Sequence, residues 1–143
     1  MNIQKFTQKS VEAINDCEKL AYEYGNQEIE QEHLLVALMR QEDGLIPMLI
    51  EKMEINKEHF LNNVENALNA RVKVSGGQQY IGQYLNKVLV SGEDEAKAMG
   101  DEYVSVEHLF LAMLRYPSPS IKKLFQEYGI TRERFLQALS TVR

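Results

Sequence analysis

From Val11 the apolar residues Ile14, Cys17, Ala21 and Tyr24 recur every three or four positions, which lines one face of a helix. Thr7 is placed to cap that helix, with Phe6 and Val11 spaced as a hydrophobic staple, and Gly25 suits its left-handed end. The run Leu34 to Met39 is apolar nearly all round, so its helix is expected at the centre of a bundle. Pro47 falls in the first turn of a third helix, "LIPMLIEKM". A fourth helix starts at Asn56 and carries the stripe Phe60, Leu61, Val64 and Leu68.

The same grammar then recurs. "QEHLLVALMR" at 31–40 returns as "VEHLFLAMLR" at 106–115. In that ungapped frame Gln8 meets Gln83, Gly25 meets Gly100, Glu32-His33 meet Glu107-His108, Arg40 meets Arg115 and Phe60-Leu61 meet Phe135-Leu136. Such self-similarity at a fixed offset marks an internal duplication. The second copy starts a helix with Leu85, Val88, Leu89 and Ala96 on one face and Gly100 at its end. Ser105 caps the next, Ser118 and Pro119 open "SPSIKKLFQEYG" before Gly129 stops it, and Thr131 opens the last. No stretch alternates as a strand should. The predicted architecture is all-α: eight helices as two tandem four-helix repeats with pseudo-twofold symmetry. The expected boundaries are 1–68 for repeat one, 69–79 for a linker and 80–143 for repeat two.

Composition narrows the function. The net charge of −5 and the scattered basic residues leave no clustered Lys/Arg surface for nucleic acid. A single cysteine, Cys17, forms no internal disulfide and fits a reducing compartment, where it reads as a packed helix residue. The first ten residues lack the apolar core of a signal peptide, and no apolar run approaches membrane-spanning length, so a cytoplasmic location without membrane contact is expected.

Catalytic patterns are missing. His33, His59 and His108 stand in no metal-ligand spacing. Gly77 and Gly82 have phosphate-loop spacing, but Gln83 follows where a lysine would reach the phosphates. No Ser-His-Asp or Cys-His set is apparent. Cofactors are therefore expected to be none, and the chain reads as a binding module rather than an enzyme. The carboxylates Glu30, Glu32, Asp101, Glu102 and Glu107 gather near helix starts, where they complement the helix dipole or form an acidic rim. Apolar residues cluster at both repeat starts: Ile3 and Phe6 in the first, Tyr80, Ile81, Tyr84 and Leu85 in the second. An apolar groove between the repeats would suit an extended, unfolded polypeptide segment.

The duplicated EHLLxAL pattern, with "NKVLVSGEDEAKAMGDEYVSVEHLFLAML" as its second copy, resembles the Clp repeat domain found at the N-terminus of Clp AAA+ unfoldases. The wording "RVKVSGGQQYIGQYLNKVL" looks most like the ClpB disaggregase branch. The resemblance implies two four-helix repeats and a non-catalytic domain that engages unfolded or aggregated polypeptides. It also implies a longer parent protein with two ATPase modules, a hexameric ring and collaboration with a DnaK-type chaperone system, the isolated domain being a monomer. Functional positions of the family match Thr7, Asp101 and Glu107, and its groove positions fall around Ile3, Leu85, Val88 and Leu89. In the related ClpC branch, repeat carboxylates matching Glu32 and Glu107 capture phosphoarginine, which gives an alternative reading as an adaptor-docking or modification-reading domain. Gly82 stands where that branch would carry a second threonine, which speaks against an equal second phosphoarginine site.

Overall fold

The computed structural model describes residues 3–143. A 3-10 turn at Ile3–Lys5 leads into α1 (Gln8–Glu23), β1 (Glu28–Ile29), α2 (Gln31–Arg40), α3 (Leu45–Lys52) and α4 (Lys57–Asn69). After the connection come β2 (Tyr80–Ile81), α5 (Gln83–Ala98), α6 (Val106–Arg115), α7 (Pro119–Glu127) and α8 (Arg132–Ser140). The helices start where side chains can replace missing intrahelical partners. Thr7 accepts from the Ser10 N–H, Asn56 from those of Glu58 and His59, and Thr131 from that of Arg134. Pro119 occupies the first helical position of α7. Gly25 and Gly100 follow α1 and α5 with φ of 71° and 73°, a left-handed conformation that costs other residues energy.

The nearly all-apolar helices α2 and α6 are the buried centres. Leu34, Leu35 and Leu38 of α2, and Leu109, Phe110 and Leu111 of α6, are completely enclosed. Phe110 stacks on Phe135 of α8 with ring centroids 4.4 Å apart, and Phe60 of α4 meets Tyr128 edge-on at 5.0 Å. Cys17 is buried on α1, and burial pushes its thiol up, so it is an inert core residue.

One expectation is corrected. The chain does contain a strand pairing: β1 and β2 run parallel, with Glu28 opposite Tyr80 and Ile29 opposite Ile81. Its twin is an isolated parallel bridge between Phe6 and Val104. These are equivalent positions, because the frame that superposes Glu32 on Glu107 carries Phe6 onto Ile81 and Ile29 onto Val104. The Thr7 N–H donates to Val104 O at 3.0 Å, and the Gly82 N–H to Ile29 O at 2.8 Å. The entry to the first helix of each repeat is thus stitched to the loop preceding the second helix of the other.

Candidate functional site

The junction where these stitches lie is built from two versions of one arrangement. At the first, the Thr7 hydroxyl donates to Ser10 Oγ at 3.0 Å, and Ser10 Oγ donates to Val104 O at 3.0 Å. At the second, Gly82 takes the place of Thr7, and the free amides of α5 need another acceptor. Glu30, at the position equivalent to Ser105, supplies it: its carboxylate accepts from the N–H groups of Leu85 (2.7 Å), Tyr84 (3.0 Å) and Gln31 (3.1 Å). Glu30 therefore caps α5 of the other repeat as well as its own α2. A Cβ on residue 82 would run into the Glu30 carboxylate, so Gly82 is the partner this arrangement requires. Burial raises the Glu30 pKa, and its three backbone donors oppose that rise.

Each second helix is then pinned by its histidine. The Glu30 N–H donates to His33 Nδ1 at 2.9 Å, leaving Nε2–H for Asn26 Oδ1 at 2.9 Å. The Ser105 N–H donates to His108 Nδ1 at 2.9 Å, and His108 Nε2 faces Asp101 Oδ2 at 2.7 Å. Burial, aided by the nearby Arg71 charge, pushes the His33 pKa down to about 4. Neither histidine approaches a metal arrangement; among the described residues no group of three His, Cys, Asp or Glu could hold an ion.

The repeat carboxylates already hold guanidinium groups of the chain. Arg71, in the connection after α4, reaches Glu28 at 2.6 Å and Glu32 at 3.2 Å, and Ser120 donates to the same Glu32 oxygen at 2.6 Å. Arg143, beyond α8, reaches Asp101 at 2.5 Å, and its Nε lies 3.7 Å from Glu107. The Arg143 guanidinium, helped by His108, holds the Asp101 carboxyl below the usual carboxylate range.

Apolar surface gathers beside these polar struts. A narrow cavity of about 30 Å³ lies between α1 and α5, lined by Ile14 and Cys17 on one side, Leu85 and Leu89 on the other, and Ile29, Leu34 and Ile81. Glu18 is its one charged lining residue. Ile81 and Tyr80 remain 45% and 52% exposed, and Ile3 44%, so these three present apolar surface to solvent. Phe6 and Val88 do not: they are enclosed in the core, and as surface contacts they are ruled out by packing. Leu85 and Leu89 are also buried and serve as floor, reachable only through the cavity. Thr7, Asp101, Glu32 and Glu107 sit at the junction with their side chains engaged inside the chain. Sequence reasoning passed over Ile14, Ile29, Glu18 and Arg71. Ile14 fitted the core stripe of α1, and nothing local marks an arginine in a connection as a clamp. A larger cleft of about 540 Å³, lined by Met39, Met48, Leu61 and Glu42 among others, lies away from the junction.

Comparison with known proteins places this geometry. Residues 5–128 match the model of the Clp repeat (R) N-terminal domain. The chain belongs to this family. As a Clp N-terminal domain it is 41% identical over its whole length to the chaperone protein ClpB of Nitratidesulfovibrio vulgaris, and it spans 17% of that relative's length. Along its whole length it is likewise 39% identical to the chaperone protein ClpB of Clostridium tetani, of which it also spans 17%. Among solved Clp N-terminal domains, that of Hsp104 from Candida albicans superposes with a TM-score of 0.82 at 21% identity, covering 94% of this chain and 88% of that one. The N-domain of ClpV, in its complex with a VipB peptide, superposes with a TM-score of 0.77 at 21% identity, covering 96% and 89%. At such identities the likeness concerns the fold. No helix among the described residues of this Clp domain is long and apolar enough to cross a membrane.

Proposed function

We propose that this domain captures exposed apolar segments of unfolded or aggregated polypeptides for a ClpB-type disaggregase. The observation that carries the reading is the half-exposed Ile81 at the mouth of the apolar cavity between α1 and α5, with Tyr80 beside it. A cavity this small accepts part of one apolar side chain and reads size rather than sequence, which suits many substrates. Binding is weak, because ordering an extended chain offsets much of the contact energy. Weak capture fits a domain that hands its load onward. The peptide complex of the ClpV N-domain supports peptide binding by this fold. In this reading Thr7, Asp101 and Glu107 act from behind, by holding the repeat junction that positions Ile81. The parent protein, with its ATPase modules, would form the hexamer and work with a DnaK-type system.

The alternative, capture of a guanidinium or phosphoarginine at Glu32 and Glu107, has Arg71 and Arg143 as competitors already in place. Amide and methyl NMR spectra recorded while titrating a permanently unfolded protein, and separately free phosphoarginine, separate the two. Groove capture predicts shifts at Ile14, Ile81, Leu85 and Leu89 with the unfolded protein and none with phosphoarginine. Shifts at Glu32 and Glu107 with phosphoarginine alone would replace it by the modification-reading function.

A further inference from the structure

We propose that the outer edge of β2 at Ile81 is a strand-docking edge, onto which the captured segment adds as a third strand through main-chain hydrogen bonds. This rests on the groove reading and specifies how the groove is used. The N–H groups of Tyr80 and Gly82 both point at β1, donating to Gln27 O at 3.0 Å and Ile29 O at 2.8 Å. Successive backbone groups of a strand face opposite sides, so the N–H and C=O of Ile81 face away from β1. Among the described residues no hydrogen bond reaches either group.

The equivalent edge in the other repeat shows what kind of group covers such a position. Phe6 stands where Ile81 stands, flanked by the Val104 N–H donating to Lys5 O at 2.7 Å and the Thr7 N–H donating to Val104 O at 3.0 Å. There the outward Phe6 N–H donates to Ile3 O at 3.1 Å, within the chain's own 3-10 turn, and Phe6 is buried. A peptide carbonyl closes that edge. At Ile81 no residue of the connection folds back to do so, and the side chain stays 45% exposed.

Side chains on the added strand would alternate between two surfaces. Ile81 faces the apolar cavity with Ile14 and Leu89, whereas Tyr80 faces the cleft that holds Arg71, Val72 and Val74. Glu18 borders the apolar cavity without an ion pair among the described residues. The segment that fits is therefore extended, with an apolar residue for the cavity and, two positions along on the same face, a basic residue for Glu18.

The test uses a fluorescein-labelled heptapeptide, Ser-Val-Ser-Lys-Ser-Val-Ser, and the same peptide N-methylated at every residue. The unmethylated peptide is expected to slow hydrogen exchange at the Ile81 amide by about tenfold at saturation, and the methylated one to bind about tenfold more weakly. If the Ile14 and Leu89 methyl signals move while Ile81 exchange is unchanged, or if both peptides bind alike, strand addition is overturned and groove capture stands. If neither peptide nor a permanently unfolded protein moves any of these signals, both fail together.

Discussion

Glu30 and Gly82 act as one unit although they belong to different repeats, and their equivalents Ser105 and Thr7 form the other solution to the same capping problem. Glu30→Ser alone strips two amides of α5 of their acceptor, an expected loss of about 2–3 kcal/mol. Gly82→Thr alone forces a side chain into the carboxylate, an expected loss of about 2 kcal/mol. Together they recreate the Thr7–Ser105 arrangement, so the double variant should be more stable than the sum of losses predicts by about 1–2 kcal/mol. A double-mutant cycle from urea unfolding measures this, and simple additivity would contradict it. From the sequence, Gly82 was visible as one of two glycines at phosphate-loop spacing and as a departure from the threonine pattern. Its cause was hidden because the partner comes from the other repeat. His33 supplies a second residue-scale prediction. Its native pKa of about 4 lies below the ordinary 6.5, so the native state requires the neutral ring. The stability this represents is complete above pH 6.5 and is lost as pH falls towards 4, at most about 3 kcal/mol. The raised Glu30 works oppositely, since between its unfolded and native pKa the folded chain binds more proton than the unfolded one, and stability falls as pH rises through its native value. A difference experiment isolates the histidine. Asn26→Asp, which copies the Asp101–His108 pair, should flatten the acid loss relative to the parent between pH 4 and 6.5 in pH-dependent urea unfolding.

Helices are tied together by one buried carboxylate that has no counterpart in the first repeat. Glu95 of α5 is 2% exposed and receives both ends of the Arg132 guanidinium of α8, at 2.9 and 2.7 Å, plus Arg115 of α6 at 3.3 Å. Those arginines hold its carboxyl below the ordinary range against the effect of burial. The first repeat has Leu20 at the equivalent position, and its Arg40 turns instead to Glu65 at 2.6 Å. Glu95→Ala should destabilise by about 3 kcal/mol, because it removes the shared acceptor and leaves a hole. Glu95→Leu should cost less than Glu95→Ala, since it refills the volume and both arginines can turn to solvent; comparing their thermal unfolding decides the point. At this scale the sequence was largely readable. Caps at Thr7, Asn56 and Thr131 follow from side-chain chemistry within a few residues, whereas Ser118 holds the cap position of α7 without a side-chain hydrogen bond, and the apolar periodicity of α2 and α6 announced their central place. The β1–β2 pair was not readable, because two residues are too few to alternate and its hydrogen bonds join distant segments.

At the scale of the whole domain, the duplication explains both what the two repeats share and where they part. Phe6 and Ile81 are apolar residues at the same repeat position, and nothing in their local sequence says that one is buried and the other open. The difference comes from the 3-10 turn that precedes Phe6, whose carbonyl closes one edge. For the same reason Leu85, Val88 and Leu89 look alike on a helical stripe, while packing seals Val88 and lets the other two floor a cavity. Binding should thus follow the open edge rather than the polar struts. Ile81→Asp places a charge at the cavity mouth and should weaken affinity for a permanently unfolded protein by about tenfold. Its melting temperature should stay within about 2 °C of the parent, because the side chain is already half exposed. Glu32→Ala combined with Glu107→Ala should do the reverse. It takes one carboxylate from Arg71 and one from Arg143, which keep Glu28 and Asp101, and strips Ser120 of its acceptor, lowering the melting temperature, yet leaves affinity within about twofold. Fluorescence anisotropy and thermal unfolding of the same two variants suffice. Affinity lost in the carboxylate variant and kept in Ile81→Asp would move the binding site from the groove to the guanidinium seats.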